Sequence, residues 1–244
     1  MIDFESYYND YLGIGQKELE EGKRVFSSNQ RNIPLNHKFV YKLIGTILKD
    51  KVIFSIAPEF YNDFRKFIYG RNIIDLDDVV EVSQEFFNSR LDDYSVRQMY
   101  RLTLKNDYNH SDHDSVQAVP LTQSILMNLI KNKDEEEKML IWTKKKEEIK
   151  EGRKFVVIKK DRIVSSAKIS DVDFSGGNIA VYTDSEYRKL GYGKQVVKKC
   201  INWCLEKEIL PIYLVDIENR PSVSLAESLG FEIMSKEVIV SITL

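Results

Sequence analysis

The residues with the clearest chemical potential lie in Tyr187-Arg188-Lys189-Leu190-Gly191-Tyr192-Gly193-Lys194, between a stretch that reads as a strand and one that reads as an amphipathic helix. The first turn of a helix carries main-chain N–H groups without partners and the positive end of the helix dipole. Glycines at that point let an anionic oxygen come close to the main chain. With Arg188 and Lys194 as auxiliary cations, the segment has the ingredients of a diphosphate cradle. A tight turn ahead of a helix would use the same glycines, and the loop alone leaves both readings open. Two other phosphate loops are excluded by spacing. A Walker-type loop needs Gly where Arg188 stands and Ser or Thr where Gln195 stands, and a dinucleotide fingerprint needs a small residue at Val196.

Other chemically capable residues are weaker. His110 and His113 sit three apart in an acidic stretch with no third ligand at a metal-binding spacing, so no metal site is expected. Cys200 and Cys204 fall on the apolar stripe of the helix after Gly193 together with Val196, Val197, Ile201 and Leu205, and read as packing residues in a reducing compartment. The run Lys144-Lys145-Lys146-Glu147-Glu148 is balanced by Asp134-Glu135-Glu136-Glu137 and reads as a solvated helix face. Phe60, Tyr61, Phe64 and Phe67 follow a helical period and read as core.

The elements that must position the glycine loop form a mixed α/β layer. From about residue 116 the order is a strand to Leu121, helices over 122–130 and 134–151, and strands at Phe155-Val156-Val157-Ile158 and 163–169. A turn at Ser175-Gly176-Gly177 then leads to the strand 178–183, the loop, a helix over 193–208, a strand over 212–215, a helix over 222–229 and a final strand pair. Ahead of this, apolar residues at 39, 40, 43, 44, 47 and 48 behind Asn36 predict a helix. A strand over 52–56, a helix from Pro58 to Gly70, and helical patterns over 76–89 and 95–105 complete a mainly helical front half. The polar stretch 106–115 breaks every period, which places a boundary between a domain 1–113 and a domain 114–244.

Composition narrows the class. A chain of 244 residues with 43% apolar positions can bury a sizeable core, which excludes disordered and disulfide-scaffold readings. Lys and Arg number 36 against 38 Asp and Glu, so a nucleic-acid-binding surface is not expected. The acidic start Met1-Ile2-Asp3-Phe4-Glu5-Ser6 and the lack of any apolar run near the ~18 residues of a membrane span predict a soluble cytoplasmic protein.

The segment Thr183-Asp184-Ser185-Glu186-Tyr187-Arg188-Lys189-Leu190-Gly191-Tyr192-Gly193 resembles the strand end and pyrophosphate loop of the GNAT family of acyl-coenzyme A dependent N-acyltransferases. A second stretch, Asn219-Arg220-Pro221-Ser222-Val223-Ser224-Leu225-Ala226-Glu227-Ser228-Leu229-Gly230-Phe231, is similar to that family's Asn-x-x-Ser helix closed by Leu-Gly-Phe. The motif match covers 178–233 and extends by element order from about 116. The front half is reminiscent of two-part family members whose first half is a divergent, partly GNAT-like unit, and nothing in it repeats Arg-x-x-Gly-x-Gly.

The resemblance implies an N-acetyltransferase that moves the acyl group of acetyl-CoA to an amine in a ternary complex, without a metal. The acceptor would be a primary amine, most simply of a small molecule. A non-catalytic coenzyme A sensing protein is the alternative, and a scaffold that lost its ligand is a third reading. The resemblance further implies that Val181, Tyr182 and Thr183 offer main-chain groups to the pantetheine arm, that Arg188, Lys189, Leu190, Gly191, Tyr192, Gly193 and Lys194 hold the diphosphate, and that Asn219 and Ser222 line the wall beside them. Asn219 and Ser222 also suit a helix cap. Many family members place a Tyr seven residues after the Asn, where this chain has Ala226. The proton for the thiolate is left to Tyr182, Tyr187, Tyr213, Ser222 or water, and the amine's base to Asp173, Asp184, Glu186, Asp216 or Glu218.

Overall fold

The computed structural model describes residues 3–35, 38–104 and 117–244; His110, His113 and the stretch 106–115 lie outside the described residues. The framework is one ten-stranded sheet. Its strands are β1 (Val25–Ser27), β2 (Phe39–Leu48), β3 (Lys51–Ile56), β4 (Ser95–Leu104), β5 (Val119–Pro120), β6 (Lys154–Lys159), β7 (Arg162–Asp173), β8 (Gly176–Thr183), β9 (Leu210–Asp216) and β10 (Phe231–Thr243). They lie in the order β1-β3-β2-β10-β4-β9-β8-β7-β6-β5; among the described residues the pairs β1/β3 and β8/β9 are parallel and the others antiparallel.

Two segments expected to be helical are strands. Residues 39–48 form β2, and 95–104 form β4. In β2 the apolar residues are near-continuous because both faces are covered: Leu43 packs with Phe54 and Val79 on one side, and Ile44 with Tyr8 and Phe26 on the other. A strand buried on both faces loses its alternation and mimics a helical period, while its β-branched and aromatic content still favours a strand. In β4 the alternation is hidden by Arg101, a charge set between the buried Met99 and Thr103 on the same face. The expected final strand pair is the single long β10, with a register shift between Ile233 and Ser235.

The helices coat the two faces. On one lie α3 (Tyr61–Phe67), α4 (Leu76–Phe87), α7 (Tyr192–Glu206) and α8 (Arg220–Glu227). On the other lie α1 (Phe4–Leu12) and α2 (Gln16–Glu20), which pack on β2, β3, β4, β9 and β10, and α5 (Gln123–Leu129) and α6 (Glu135–Lys150), which pack near β6. Helix α1 is capped by the Asp3 carboxylate, which accepts from the Ser6 N–H at 2.8 Å, and it buries Tyr7, Tyr8, Tyr11 and Leu12. Beneath it the Arg101 guanidinium, 2% exposed, donates to Glu237 at 2.6 and 3.1 Å and to the Tyr7 hydroxyl at 2.9 Å. Burial of two opposite charges is tolerated when both are paired and hydrogen-bonded, as here.

Candidate coenzyme and acceptor site

Strand β8 ends at Thr183, and the chain passes through a single 3-10 turn (Ser185–Tyr187) into the glycine loop and α7. Gly191 is the residue before the first helical turn, with φ 81 and no side-chain cap. Lys189 is also left-handed, at φ 62. Left-handed residues in such a turn gather successive N–H groups into an anion-binding concavity. The main-chain N–H groups of Lys189, Leu190, Gly191, Tyr192, Gly193 and Lys194 have no acceptor among the described residues; the first engaged one is that of Gln195, bonded to the Gly191 carbonyl. A Cβ on Gly193 would lie 3.2 Å from the Thr183 hydroxyl oxygen, so the helix start is held tightly against the end of β8.

The second feature is a split in the sheet. The β8/β9 ladder holds only for Gly176, Gly177 and Asn178 against Leu210, Pro211 and Ile212, whereas the β7/β8 ladder continues to Thr183. From Ile179 onward the β9-facing edge of β8 therefore lacks a strand partner among the described residues, and Val181, Tyr182 and Thr183 lie on that open edge. Buried main-chain polar groups do not stay unpaired at such a gap; they take water or a ligand. Free N–H groups beside an open parallel edge match what a diphosphate joined to an extended amide arm requires.

The remaining predicted residues divide. Arg188 is exposed and its Nε donates to the Thr183 carbonyl at 3.3 Å, so it ties the loop to β8. Asn219 caps α8, its side chain accepting from the Ser222 N–H at 3.3 Å, and the Ser222 hydroxyl pairs with the Tyr213 hydroxyl at 2.8 Å. Tyr213 is 2% exposed, and burial raises its phenol above the ordinary value while the Ser222 bond acts against that rise. It is the first residue of β9 past the last pair with β8. Ala226 is fully buried in the core. Tyr182 is 63% exposed.

Of the five carboxylates considered as bases, Glu186 is exposed beside Arg162 at 2.8 Å, Asp184 is within 3.7 Å of the same guanidinium, and Asp216 accepts from the Glu218 N–H at 2.9 Å. Glu218 is exposed. Asp173 alone lines a cavity of about 170 Å³ on the α1 face, with Asp171, Asn178, Tyr11, Tyr41 and Arg101 among its walls. Tyr11, Tyr41 and Arg101 come from the front half and carry no motif; only the i, i+4 pairing of Tyr7 with Tyr11 hinted at a buried aromatic face. Cys200 and Cys204 are buried against β8, with Gly177 leaving room for the Cys204 sulfur, and burial pushes the Cys204 thiol up to about 12. Among the described residues no group of His, Cys, Asp or Glu could hold a metal ion, and no helix is long and apolar enough to cross a membrane.

The sequence model of the GNAT acetyltransferases matches residues 76–238, which is more than half of the chain. The chain belongs to the GNAT acetyltransferase family. Members of that family take an acyl group from acyl-coenzyme A. A protein of Bacillus subtilis described as an uncharacterized N-acetyltransferase, YdfB, is 30% identical over 98 residues, which span 40% of this chain and 38% of that relative. A solved structure of a Drosophila protein, 13% identical, covers 98% of this chain and 90% of its own with a TM-score of 0.51, which shows a shared fold. A GNAT-family acetyltransferase from Colwellia psychrerythraea, 9% identical, covers 82% of this chain and 81% of its own at a TM-score of 0.49. The GNAT model begins at Leu76, inside α4, so the family match takes in β4 as well as the glycine loop.

Proposed function

We propose that the protein is an acetyl-CoA dependent N-acetyltransferase that modifies a primary amine of a small molecule by direct transfer in a ternary complex. The observation that carries this reading is the coincidence of six unengaged N–H groups at the start of α7 with a β8/β9 ladder that stops at Asn178. Residues Lys189 to Lys194 hold the diphosphate, with Arg188 steadying the loop. The open edge at Val181, Tyr182 and Thr183 receives the amide arm, and Asn219 and Ser222 flank it. Coenzyme A supplies an activated thioester and a thiol leaving group. The chain's own contribution is to orient the two substrates, to exclude water and to manage two protons. Tyr213, kept protonated by burial and wired to Ser222, is the proton source on the thiolate side in place of the missing tyrosine at Ala226.

In this reading the residues 114–244 carry the donor site, and 1–113 close the acceptor side through α1, β2 and β4. The two buried free cysteines fit a reducing, cytoplasmic setting. The buried Ala226 favours a second reading, a coenzyme A sensor without turnover.

Thermal unfolding with acetyl-CoA, followed by thiol release with an amine panel, separates the possibilities. Ligand at ~100 times its Kd adds roughly 2.7 kcal/mol of stability. No stabilisation at millimolar acetyl-CoA overturns both readings. Stabilisation with thiol release no faster than the enzyme-free rate for every amine favours the sensor.

A further inference from the structure

Two hydroxyls stand where β8 meets the start of α7. Ser165 on β7 is paired with Thr183 across the β7/β8 ladder and is fully buried. Its Oγ lies 2.8 Å from Thr183 Oγ1, and its hydroxyl donates to the Tyr182 carbonyl at 3.3 Å. Thr183 is half-buried and is the last residue of the strand. Three segments meet on it: Ser165 pairs with its hydroxyl, Arg188 Nε donates to its carbonyl at 3.3 Å, and a Cβ on Gly193 would stand 3.2 Å from its Oγ1. A carbon–carbon bond adds about 1.5 Å, so the Thr183 hydroxyl oxygen lies within about 5 Å of the Gly193 α-carbon. It is therefore next to the N–H groups that the helix start leaves unengaged.

A hydroxyl has one proton to give and two lone pairs to offer, so this pair has two proton arrangements. In the first, Thr183 donates to Ser165 and Ser165 donates to the Tyr182 carbonyl, and both protons are used inside the sheet. In the second, Ser165 donates to Thr183, and the Thr183 proton becomes available to an oxygen at the helix start. The 2.8 Å link serves both arrangements and lies in the ordinary O–H···O range. Only the Tyr182 contact is given up on reversal, and at 3.3 Å it lies beyond that range and is weak. The first arrangement satisfies the free protein. An anionic oxygen beside Gly193 favours the second, because a hydrogen bond to a charged oxygen is shorter and stronger than one between neutral groups. Donation from Ser165 also polarises the outer hydroxyl and strengthens its bond.

Resting on the coenzyme-binding reading, we propose that the Thr183 hydroxyl is a side-chain donor to the diphosphate and that Ser165 is the positioning residue that turns it outward. A cradle otherwise built of main-chain N–H groups thereby gains a hydroxyl from the end of the neighbouring strand. The two loop glycines then have different purposes. Gly191 supplies a left-handed backbone with open space around its α-carbon, whereas Gly193 faces the Thr183 hydroxyl, and a side chain there would crowd the oxygen that meets the phosphate. Ser165 touches no ligand in this arrangement. It acts through Thr183, and its buried place on β7 fixes the side from which Thr183 receives a proton.

The test is isothermal titration with acetyl-CoA and with acetyl-pantetheine, which lacks the diphosphate. Thr183→Val keeps the shape of the side chain and removes the hydroxyl. Acetyl-CoA affinity is expected to fall by about tenfold or more in that variant, while acetyl-pantetheine affinity stays within about twofold. Thr183→Ser, which keeps the hydroxyl, is expected to hold acetyl-CoA affinity within about threefold of the wild-type level. Should Thr183→Val not fold, Thr183→Ala carries the same expectation. Ser165→Ala is expected to weaken acetyl-CoA binding by about three- to fivefold alone and by less than about 1.5-fold in the Thr183→Val background, the coupling of a residue that acts through its neighbour. Unchanged acetyl-CoA affinity in Thr183→Val, an equal loss for both ligands, failure of Thr183→Ser to keep binding, or equal effects of Ser165→Ala in the two backgrounds overturns the inference. A wild-type protein that does not bind acetyl-CoA strikes the underlying reading instead.

Discussion

Replacing Gly191 with Ala tests the diphosphate cradle with little disturbance elsewhere. Gly191 has φ 81, and a Cβ built on it meets nothing within 4 Å in the free protein. The folded state therefore loses only the cost of a left-handed alanine, roughly 1–2 kcal/mol. The new methyl stands at the mouth of the turn whose six N–H groups are unengaged, so its main effect falls on whatever approaches from solvent. Each hydrogen bond from such an N–H to a charged oxygen contributes about 1.5–3 kcal/mol. Displacing the diphosphate from one of them weakens binding by roughly ten- to a hundredfold, and from two by the square of that. Isothermal titration with acetyl-CoA and with acetyl-pantetheine, which lacks the diphosphate, separates obstruction from general strain. Acetyl-CoA affinity should fall by about tenfold or more while acetyl-pantetheine affinity stays within about twofold. Unchanged acetyl-CoA affinity, or an equal loss for both ligands, would falsify the cradle.

Two further outcomes follow from buried groups. Tyr213→Phe removes the hydroxyl bonded to Ser222 and should cost about 1 kcal/mol in urea unfolding and about 10–100-fold in kcat, with KM for acetyl-CoA unchanged. Because burial raises the Tyr213 phenol, the folded state holds its proton as pH passes the unfolded value near 10. Stability from that group is present below pH ~10 and declines above it, and the variant should lack this part of the alkaline decline. Glu237→Ala leaves the Arg101 guanidinium buried without its counter-ion and should cost about 3–5 kcal/mol, measured as a shift in the urea midpoint; a shift under about 1 kcal/mol would mean that water reaches the pair.

The donor half was legible because its signals are local. A glycine pair ahead of an amphipathic helix sets main-chain geometry within one turn, and the strands 154–159 and 176–183 announce themselves by β-branched runs with turns between. The helices over 123–129, 135–150 and 220–227 carried their own caps in Thr122, Asp134 and Asn219. The acceptor side obeys a different rule. Its chemistry comes from side chains far apart in sequence whose meeting is decided by the sheet, and the sheet was misjudged where it is most deeply buried, at β2 and β4.

Gly176 shows why no finer reading of the sequence would have repaired this. Ser175-Gly176-Gly177 reads as a glycine turn, yet the reversal between β7 and β8 is made by Phe174 at φ 50 and Ser175 at φ 64, while Gly176 has an ordinary strand pairing with Asp173. A Cβ on Gly176 would lie 2.3 Å from the Tyr7 ring. The glycine exists to let α1 descend onto β8 beside the cavity, and the two non-glycine residues carry the left-handed backbone, with Phe174 held edge-on by Tyr11 at 6.4 Å. A turn and a close approach ask for the same residue. Only the packing partner tells them apart, and here that partner is the first helix of the chain, which also supplies the aromatic wall of the proposed acceptor site.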